Sequence, residues 1–348
     1  MGTDALSDVL RAVRLTGAIF FKVDARDPWV AETPPVAVCA PHVLPLAEHV
    51  IEYHVVRGGS CWGGLLDAAP VRLEEGDVIA FPQGDPHVLS SAPGMRLPPD
   101  LAALRAAAAA AATRPYAMSV GEPGPATASI VCGFLGCDAR PFNPLLGALP
   151  RMLHLRTRSE RDGSWLGHLV GAAFAEAMEG RIGGRSIVSR LSELMFVELV
   201  RRHVEAMPPE ATGWFAGLRD PHVGRALNLL HGRAAESWTL ERLAREVGLS
   251  RSSLAERFAR LIGQPPMQYL ARWRMQLAAG MLADGNRQVA QVAAEVGYDS
   301  EAAFSRAFSK MVGVPPAAWR RARLRPAGPG GGGAPQDTPA PPVPARLS

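Results

Sequence analysis

Between about residues 36 and 91, apolar residues come in short runs separated by turn-formers. The stretches "VIEYHVVRGGSCWGGLL" and "VRLEEGDVIAFPQGDPHVLS" are rich in Val, Ile, Phe and Tyr, and Arg57-Gly58-Gly59-Ser60 and Glu74-Glu75-Gly76-Asp77 punctuate them. This pattern predicts the hairpins of an all-β unit, a small barrel or sandwich. Residues 98–114 then bring an alanine-rich insertion, "PPDLAALRAAAAAAATR". Its composition favours helix but leaves almost no amphipathic face, which predicts an exposed or poorly ordered segment. A returning strand and a Pro-rich connection are expected over 132–155.

Beyond residue 156 the period lengthens to that of a helix. In "SWLGHLVGAAFAEAME" and "SIVSRLSELMFVELVRRHVEAM" apolar residues recur at three and four, with Ile187, Leu191, Leu194, Val197 and Val204 down one side. The second helix is expected to cover the β unit or to meet a copy of itself. Residues 208–218 read as a linker. The Pro/Gly/Ala-rich residues 325–348 read as a disordered tail.

Between linker and tail the chain repeats itself. "TLERLAREVGLS" and "QVAQVAAEVGYDS" align Ala244 with Ala293, Glu246 with Glu295, Val247 with Val296 and Gly248 with Gly297. One residue is gained after the second turn, and the match resumes with Phe258 on Phe308, Gly263 on Gly313 and Pro265-Pro266 on Pro315-Pro316. Each copy predicts a short helix, a glycine turn and a second helix, with Ala at the crossing where the helices approach. That is a helix-turn-helix, whose second helix fits a DNA major groove. Leu243, Val247, Leu254, Phe258, Val292, Val296, Phe304 and Phe308 are the expected core. The amphipathic stretch 266–284 between the copies predicts a helix about 27 Å long, suited to holding two reading helices about one DNA turn, roughly 34 Å, apart.

Composition narrows the class. The 348 residues suit two or three domains, and neither a charged-then-apolar leader nor an apolar run long enough to span a membrane is present, which predicts a soluble cytoplasmic protein. The four cysteines, Cys39, Cys61, Cys132 and Cys137, are too irregular for a disulfide framework. Net charge is +4, but residues 219–325 carry 17 Arg and Lys against 9 Asp and Glu, a net +8, which leaves −4 for the rest. A basic half of this kind points to a polyanionic partner.

With "GYDSEAAFSRAF" followed by "GVPPAAWR", and "RWRM" in the connecting helix, residues 219–324 resemble the DNA-binding domain of the AraC/XylS-type transcription regulators. The resemblance implies seven helices that insert two reading helices into successive major grooves of double-stranded DNA. Carried over by position, the candidate DNA contacts are Arg251, Ser252, Ser253, Glu256 and Arg257 in the first reading helix, and Ser300, Glu301, Ser305, Arg306 and Lys310 in the second. Arg and Lys neutralise phosphate or reach guanine, Ser donates to phosphate, and Glu accepts from cytosine. Ala255 and Ala302 stand where longer polar readers are common in the family, which predicts sparse base readout.

Upstream, the segment from Gly76 through Pro82 and Gly84 to His87 looks like the second cupin motif, with His87 aimed into the barrel. The first motif, which normally brings two histidines and a glutamate, is degraded: His54 is the inward candidate, Glu52 shares its alternation and His49 lies on the other face. Two histidines alone make a poor metal site, so the expectation is no metal, no cofactor and no enzymatic activity, with Glu52, His54 and His87 as effector-pocket residues. A cupin metalloenzyme fused to a DNA-binding domain is the remote alternative. A thiol redox sensor is the other alternative, with Cys132 and Cys137 close in sequence and Arg140 placed to favour thiolate.

The expected architecture is therefore multidomain: an all-β cupin-like barrel over 1–155, a helical dimerisation segment over 156–207, the linker, and an all-α double helix-turn-helix over 219–324. The expected partners are promoter DNA, RNA polymerase, a small-molecule effector and a second copy of the chain, with no membrane.

Overall fold

The computed structural model describes residues 4–15, 20–45, 47–111, 116–156, 165–179, 181–285 and 287–324. The tail read as disordered, and the end of the alanine-rich insertion at 112–114, lie outside the described residues. The N-terminal part runs α1 (Ala5–Ala12), β1 (Phe20–Arg26), β2 (Val30–Thr33), α2 (Val36–Val43), β3 (His49–Leu65), β4 (Val71–Glu74), β5 (Val78–Phe81), β6 (His87–Ser90), α3 (Leu101–Ala111), β7 (Tyr116–Gly121), β8 (Ala128–Cys137), α4 (Pro144–Ala148) and β9 (Leu153–Leu155). Two long helices follow, α5 (Trp165–Glu179) and α6 (Gly184–Ala206). The remainder is helical: α7 (Trp214–Arg219), α8 (Pro221–Gly232), α9 (Leu240–Glu246), α10 (Arg251–Ile262), α11 (Pro266–Ala283), α12 (Val289–Glu295), α13 (Glu301–Val312) and α14 (Pro316–Leu324).

β3 organises the β unit. Its first half pairs antiparallel with β8 and β5, and its second half with β4 and β6, so one strand passes from one sheet into the other. The passage is made at a register shift between Val56 and Gly58, followed by Gly59 at φ 74°. Arg57–Ser60 is thus a bulge inside a 17-residue strand and not the predicted hairpin turn. An extra residue in one partner increases local twist and bends the strand, which lets a sheet curl into a half-barrel without breaking. Glu74–Asp77 is a turn as expected, held by the Asp77 carboxylate accepting from the Glu74 amide at 3.1 Å.

Other departures from the sequence reading have equally local causes. Residues 36–43 are helical and not part of the β text, because Cys39 and Val43 lie one helical turn apart and both bury. The alanine-rich insertion is seated on the β unit: Leu104 and Ala107, three apart on α3, pack against α2 beside Cys39 and Val43. The linker read over 208–218 holds all but the last residue of α7, whose Trp214 and Phe215 are buried. On α6 the buried stripe is Val188, Ser192, Met195, Phe196 and Leu199, whereas Ile187 and Leu194 are each 46% exposed. The stripe predicted from apolar periodicity was rotated, since Ser192 is tolerated inside by bonding the Val188 carbonyl at 2.9 Å and the Tyr53 hydroxyl at 3.2 Å.

All eight predicted core residues of the doubled unit are buried. α11 carries both copies: Tyr269, Leu270 and Trp273 face the first, while Met275, Ala278, Ala279 and Leu282 join Val292, Phe304 and Phe308 of the second. Each fully buried aromatic removes enough apolar surface to contribute about 2–3 kcal/mol. The N-terminal part is packed on this helical domain. Ala5 and Val9 of α1 and Leu145 of α4 share a buried core with Trp214, Leu227 and Tyr269. Gln276 of α11 accepts from the Phe142 amide at 3.0 Å and donates to the Ala12 carbonyl at 3.5 Å, and Arg323 of α14 pairs with Glu48.

Candidate DNA interface and effector cavity

Side-chain caps fix where the reading helices begin. Thr239 accepts from the Arg242 amide ahead of α9, Ser250 from the Ser253 amide ahead of α10, and Ser300 from the Ala303 amide ahead of α13. Such caps satisfy amides that have no partner within the helix, each worth about 1 kcal/mol. Gly248 and Gly297 turn the chain between the paired helices with φ of 75° and 83°. A Cβ at Gly248 would meet open space, but at Gly297 it would stand 2.3 Å from the Ala235 carbonyl oxygen. The second turn is therefore wedged against the loop that precedes the first copy, while the first turn has open space around it.

Arg274, the second arginine of "RWRM", makes that wedge. Its half-buried guanidinium donates to the carbonyls of Ala234 at 2.8 Å, Glu236 at 2.8 Å and Gly297 at 3.2 Å. It ties the loop before the first copy to the turn of the second. The sequence marked this residue as distinctive but gave it no role, since its partners are backbone atoms distant in the chain.

The ten candidate contacts divide by what they already hold. Arg257 is committed to Asp220 at 2.6 Å, and Asp220 in turn caps α8, so this pair is structural. Ser300 serves as a helix cap, and the Ser253 hydroxyl lies 2.8 Å from that of Ser250. Arg251 pairs with Glu241 at 2.8 Å, but both are well exposed, and an exposed pair of this kind is worth little and opens easily to a phosphate. Ser252, Glu256, Glu301, Arg306 and Lys310 are exposed, and Ser305 half-buried. Among the described residues, Arg306 and Lys310 have no ion-pair partner.

In the β unit, strands far apart in sequence enclose a cavity of about 270 Å³. Phe21, Trp29, Leu89, Ile130 and Phe134 supply apolar wall, Leu104 and Ala107 of α3 close one side, and Glu52 and His54 are the polar groups reaching it from β3. His87, from β6, is brought beside them. The His54 and His87 Nε2 atoms are 2.8 Å apart and Glu52 Oε2 is 3.5 Å from His87 Nε2. Strand alternation found Glu52 with His54, and the resemblance to the second cupin motif found His87, but neither found the rest of the lining, which is drawn from eight separate elements in all. His49 lies apart from them, its Nε2 2.6 Å from the Pro82 carbonyl oxygen.

All three clustered side chains are buried, and burial acts on each against its charged form. It pushes the Glu52 carboxyl up to about 8, lowers His87 to about 4 against the opposing pull of its bond to the Asp85 carbonyl, and with the neighbouring His87 holds His54 well below the usual histidine range. The count of two histidines alone undercounts the group: Glu52 makes it three potential ligands, with one donor atom of each within 4.8 Å of the others.

The thiol-sensor expectation fails on geometry. Cys132 and Cys137 are five apart on β8, an odd interval that sends their side chains to opposite faces. Cys132 faces the cavity, whereas Cys137 joins the core beneath α1 and α6. Burial pushes Cys137 up to about 12 and Cys132 up further, with the Glu52 carboxylate adding to the second. Arg140 activates neither: it is exposed and directed to Glu48 at 3.5 Å.

A curled β unit packed on two helix-turn-helix units that share one spine helix defines a DNA-binding regulator with an attached sensor-type domain. Comparison with known proteins agrees. Residues 4–205 match a family model described as Cupin, and residues 243–322 one described as Helix-turn-helix domain. A putative AraC-like transcription regulator of Streptomyces lividans is 34% identical over 286 residues, covering 79% of this chain and 88% of that one. A second, from Streptomyces antibioticus, is 31% identical over 330 residues, 91% of this chain and 98% of that one. The regulator AlkR of Acinetobacter baylyi is 28% identical over 321 residues, 91% of this chain and 99% of that one. Among solved structures, the DNA-binding domain of AdpA in complex with a target DNA is 30% identical, covering 30% of this chain and 92% of that one with a TM-score of 0.29. The chain belongs to the AraC-type transcriptional regulators: an N-terminal cupin domain joined to a double helix-turn-helix of the type that binds DNA.

Proposed function

We propose that residues 1–207 form an effector-sensing and dimerising unit that controls how residues 219–324 are presented to promoter DNA and to RNA polymerase in the cytoplasm. The observation that carries this reading is the continuity of the two parts. The core that holds α1 and α4 against α7, α8 and α11, together with the Gln276 and Arg323 clasps, leaves no slack between cavity and DNA-reading helices. A change in the β unit is thus felt by the spine helix that sets both reading helices. The cavity suits a small, mainly apolar effector with one polar group for Glu52 or His54. The regulator has no enzymatic role in this reading, and the polar trio serves binding.

The full-length chain tested against genomic fragments should select a subset with affinity that falls steeply with salt. Arg306→Ala and Lys310→Ala should each flatten the dependence of log affinity on log salt by about 1. Arg257→Ala should instead lower thermal stability, because it leaves Asp220 without its cation. Binding that shows neither fragment preference nor salt dependence would overturn the reading.

For the second copy of the chain, α6 offers Ile187 and Leu194, seven residues and two turns apart on its outer side. A double Ile187→Glu, Leu194→Glu variant should sediment as a monomer where the parent sediments as a dimer. An unchanged sedimentation coefficient would move the dimer contact elsewhere.

A further inference from the structure

We infer that the cleft between the β unit and the helical domain is a second ligand site, which takes a small organic monocarboxylate with its carboxylate on Arg272. This goes beyond the regulatory reading, and the site can be measured without DNA.

The cleft holds about 540 Å³, room enough for a small molecule. Among the described residues, none lines both this cleft and the cavity of the β unit. His49, Gln83 and Phe142 form one wall, and Gln264, Tyr269 and Arg272 face them from the helical domain.

Arg272, the first arginine of "RWRM", motivates the assignment. It is half-buried on α11, donates to Gln264 Oε1 at 3.1 Å, and sets its guanidinium 4.3 Å from the centre of the Phe142 ring. A guanidinium has further donors to offer, and among the described residues no Asp or Glu lines the cleft to receive them. Neighbouring arginines are committed: Arg14 to Asp138, Arg257 to Asp220, Arg323 to Glu48 and Arg274 to backbone carbonyls. Burial acts against the charge of Arg272, which a bound anion would stabilise. A planar carboxylate matches the guanidinium fork.

Across the cleft the chemistry reverses. The Pro82 carbonyl only accepts, so His49 Nε2 at 2.6 Å donates to it, which fixes the tautomer with Nδ1 as an acceptor. Gln83 uses its amide nitrogen on the carbonyls of Leu146 and Leu149, leaving Oε1 to accept. A second carboxylate would meet lone pairs on that wall, so one acidic group is admitted and not two. Between the walls the Phe142 and Tyr269 rings, edge to face at 5.4 Å, supply apolar surface for the body of the ligand. Tyr269 also meets Phe258 of the first reading helix, ring centres 5.8 Å apart. A ligand here touches both domains at once.

The full chain titrated with phenylacetate in a calorimeter should bind one molecule per chain and melt at a higher temperature when loaded. Inorganic phosphate, an anion without an apolar body, should bind about tenfold more weakly or worse. Arg272→Gln should weaken phenylacetate binding about tenfold or more, as loss of a charged donor predicts. Arg272→Lys should recover only part of that, because an ammonium lacks the planar fork. Gly147→Leu fills the cleft from the opposite wall, at a position where a Cβ meets nothing within 4 Å, and should weaken binding as much with Arg272 intact. Far-UV circular dichroism checks that each variant is folded. Absence of phenylacetate binding in the parent chain would overturn the site, and so would undiminished binding in folded Arg272→Gln or folded Gly147→Leu. Phosphate bound as tightly as phenylacetate would overturn the organic ligand. None of these outcomes bears on regulation, because DNA binding is scored on the ligand-free chain.

Discussion

Gly297→Ala should disable the second reading unit, whereas Gly248→Ala at the aligned position should be tolerated. Both glycines sit at left-handed φ, 83° and 75°, so alanine at either costs about 1 kcal/mol of backbone strain. The difference lies in what the methyl meets. At Gly248 it meets nothing within 4 Å, but at Gly297 it would be driven to 2.3 Å from the Ala235 carbonyl oxygen, which is backbone and cannot rotate away. Relief requires α12 and α13 to shift away from the loop before the first copy, which also strains the Arg274 bond to the Gly297 carbonyl. A total near 3 kcal/mol is a large share of the 5–15 kcal/mol that holds an ordinary domain together. Chemical denaturation should give a loss of about 3 kcal/mol for Gly297→Ala and about 1 for Gly248→Ala. Binding to a two-groove site should fall at least tenfold for the first alone. Equal losses would show that the wedge does not constrain the turn.

Arg274→Ala should have an effect of similar size by a different route. The substitution leaves the carbonyls of Ala234, Glu236 and Gly297 without the guanidinium that joins them. Bonds from a charged donor contribute about 1.5–3 kcal/mol each and are not additive, so a net loss of about 3 kcal/mol is expected. Arg274→Lys should recover less than half of it, since an ammonium is a point charge and cannot reproduce the planar fork. The two reading units should then bind DNA as loosely connected modules, with a reduced preference for sites that engage both grooves. Thermal denaturation and competition between one-groove and two-groove oligonucleotides measure these outcomes. An Arg274→Ala chain with parental stability and parental site preference would remove Arg274 from the coupling.

The parts of this molecule that were readable without coordinates are those governed by short-range rules. Helix-turn-helix cores need apolar residues at fixed offsets around a glycine, so Leu254, Phe258, Phe304 and Phe308 could be named, and all are buried. Strand alternation likewise put Glu52 and His54 on one face and His49 on the other, and the structure sets only the first two beside His87. Where one residue's environment depended on a distant partner, the reading slipped. Arg257 looked like any exposed base until Asp220 met it, and the stripe through Ile187 and Leu194 was open to covering the β unit until Ser192 found bonds that let its own face take the inside of α6.

By itself the sequence determined the class of this protein. Its internal duplication, its basic C-terminal half and its period changes follow from local geometry and composition, which no tertiary contact can alter. Only the tertiary structure decided that β3 bends through both sheets, that an apolar cavity is lined from eight separate elements, and that Glu52 joins the two histidines with its oxygens unpaired. It also decided that the cupin domain and the first DNA-reading helix share a core. These features arise where residues far apart in the chain compete for the same buried space, and neither the order of residues nor their spacing records which of them wins.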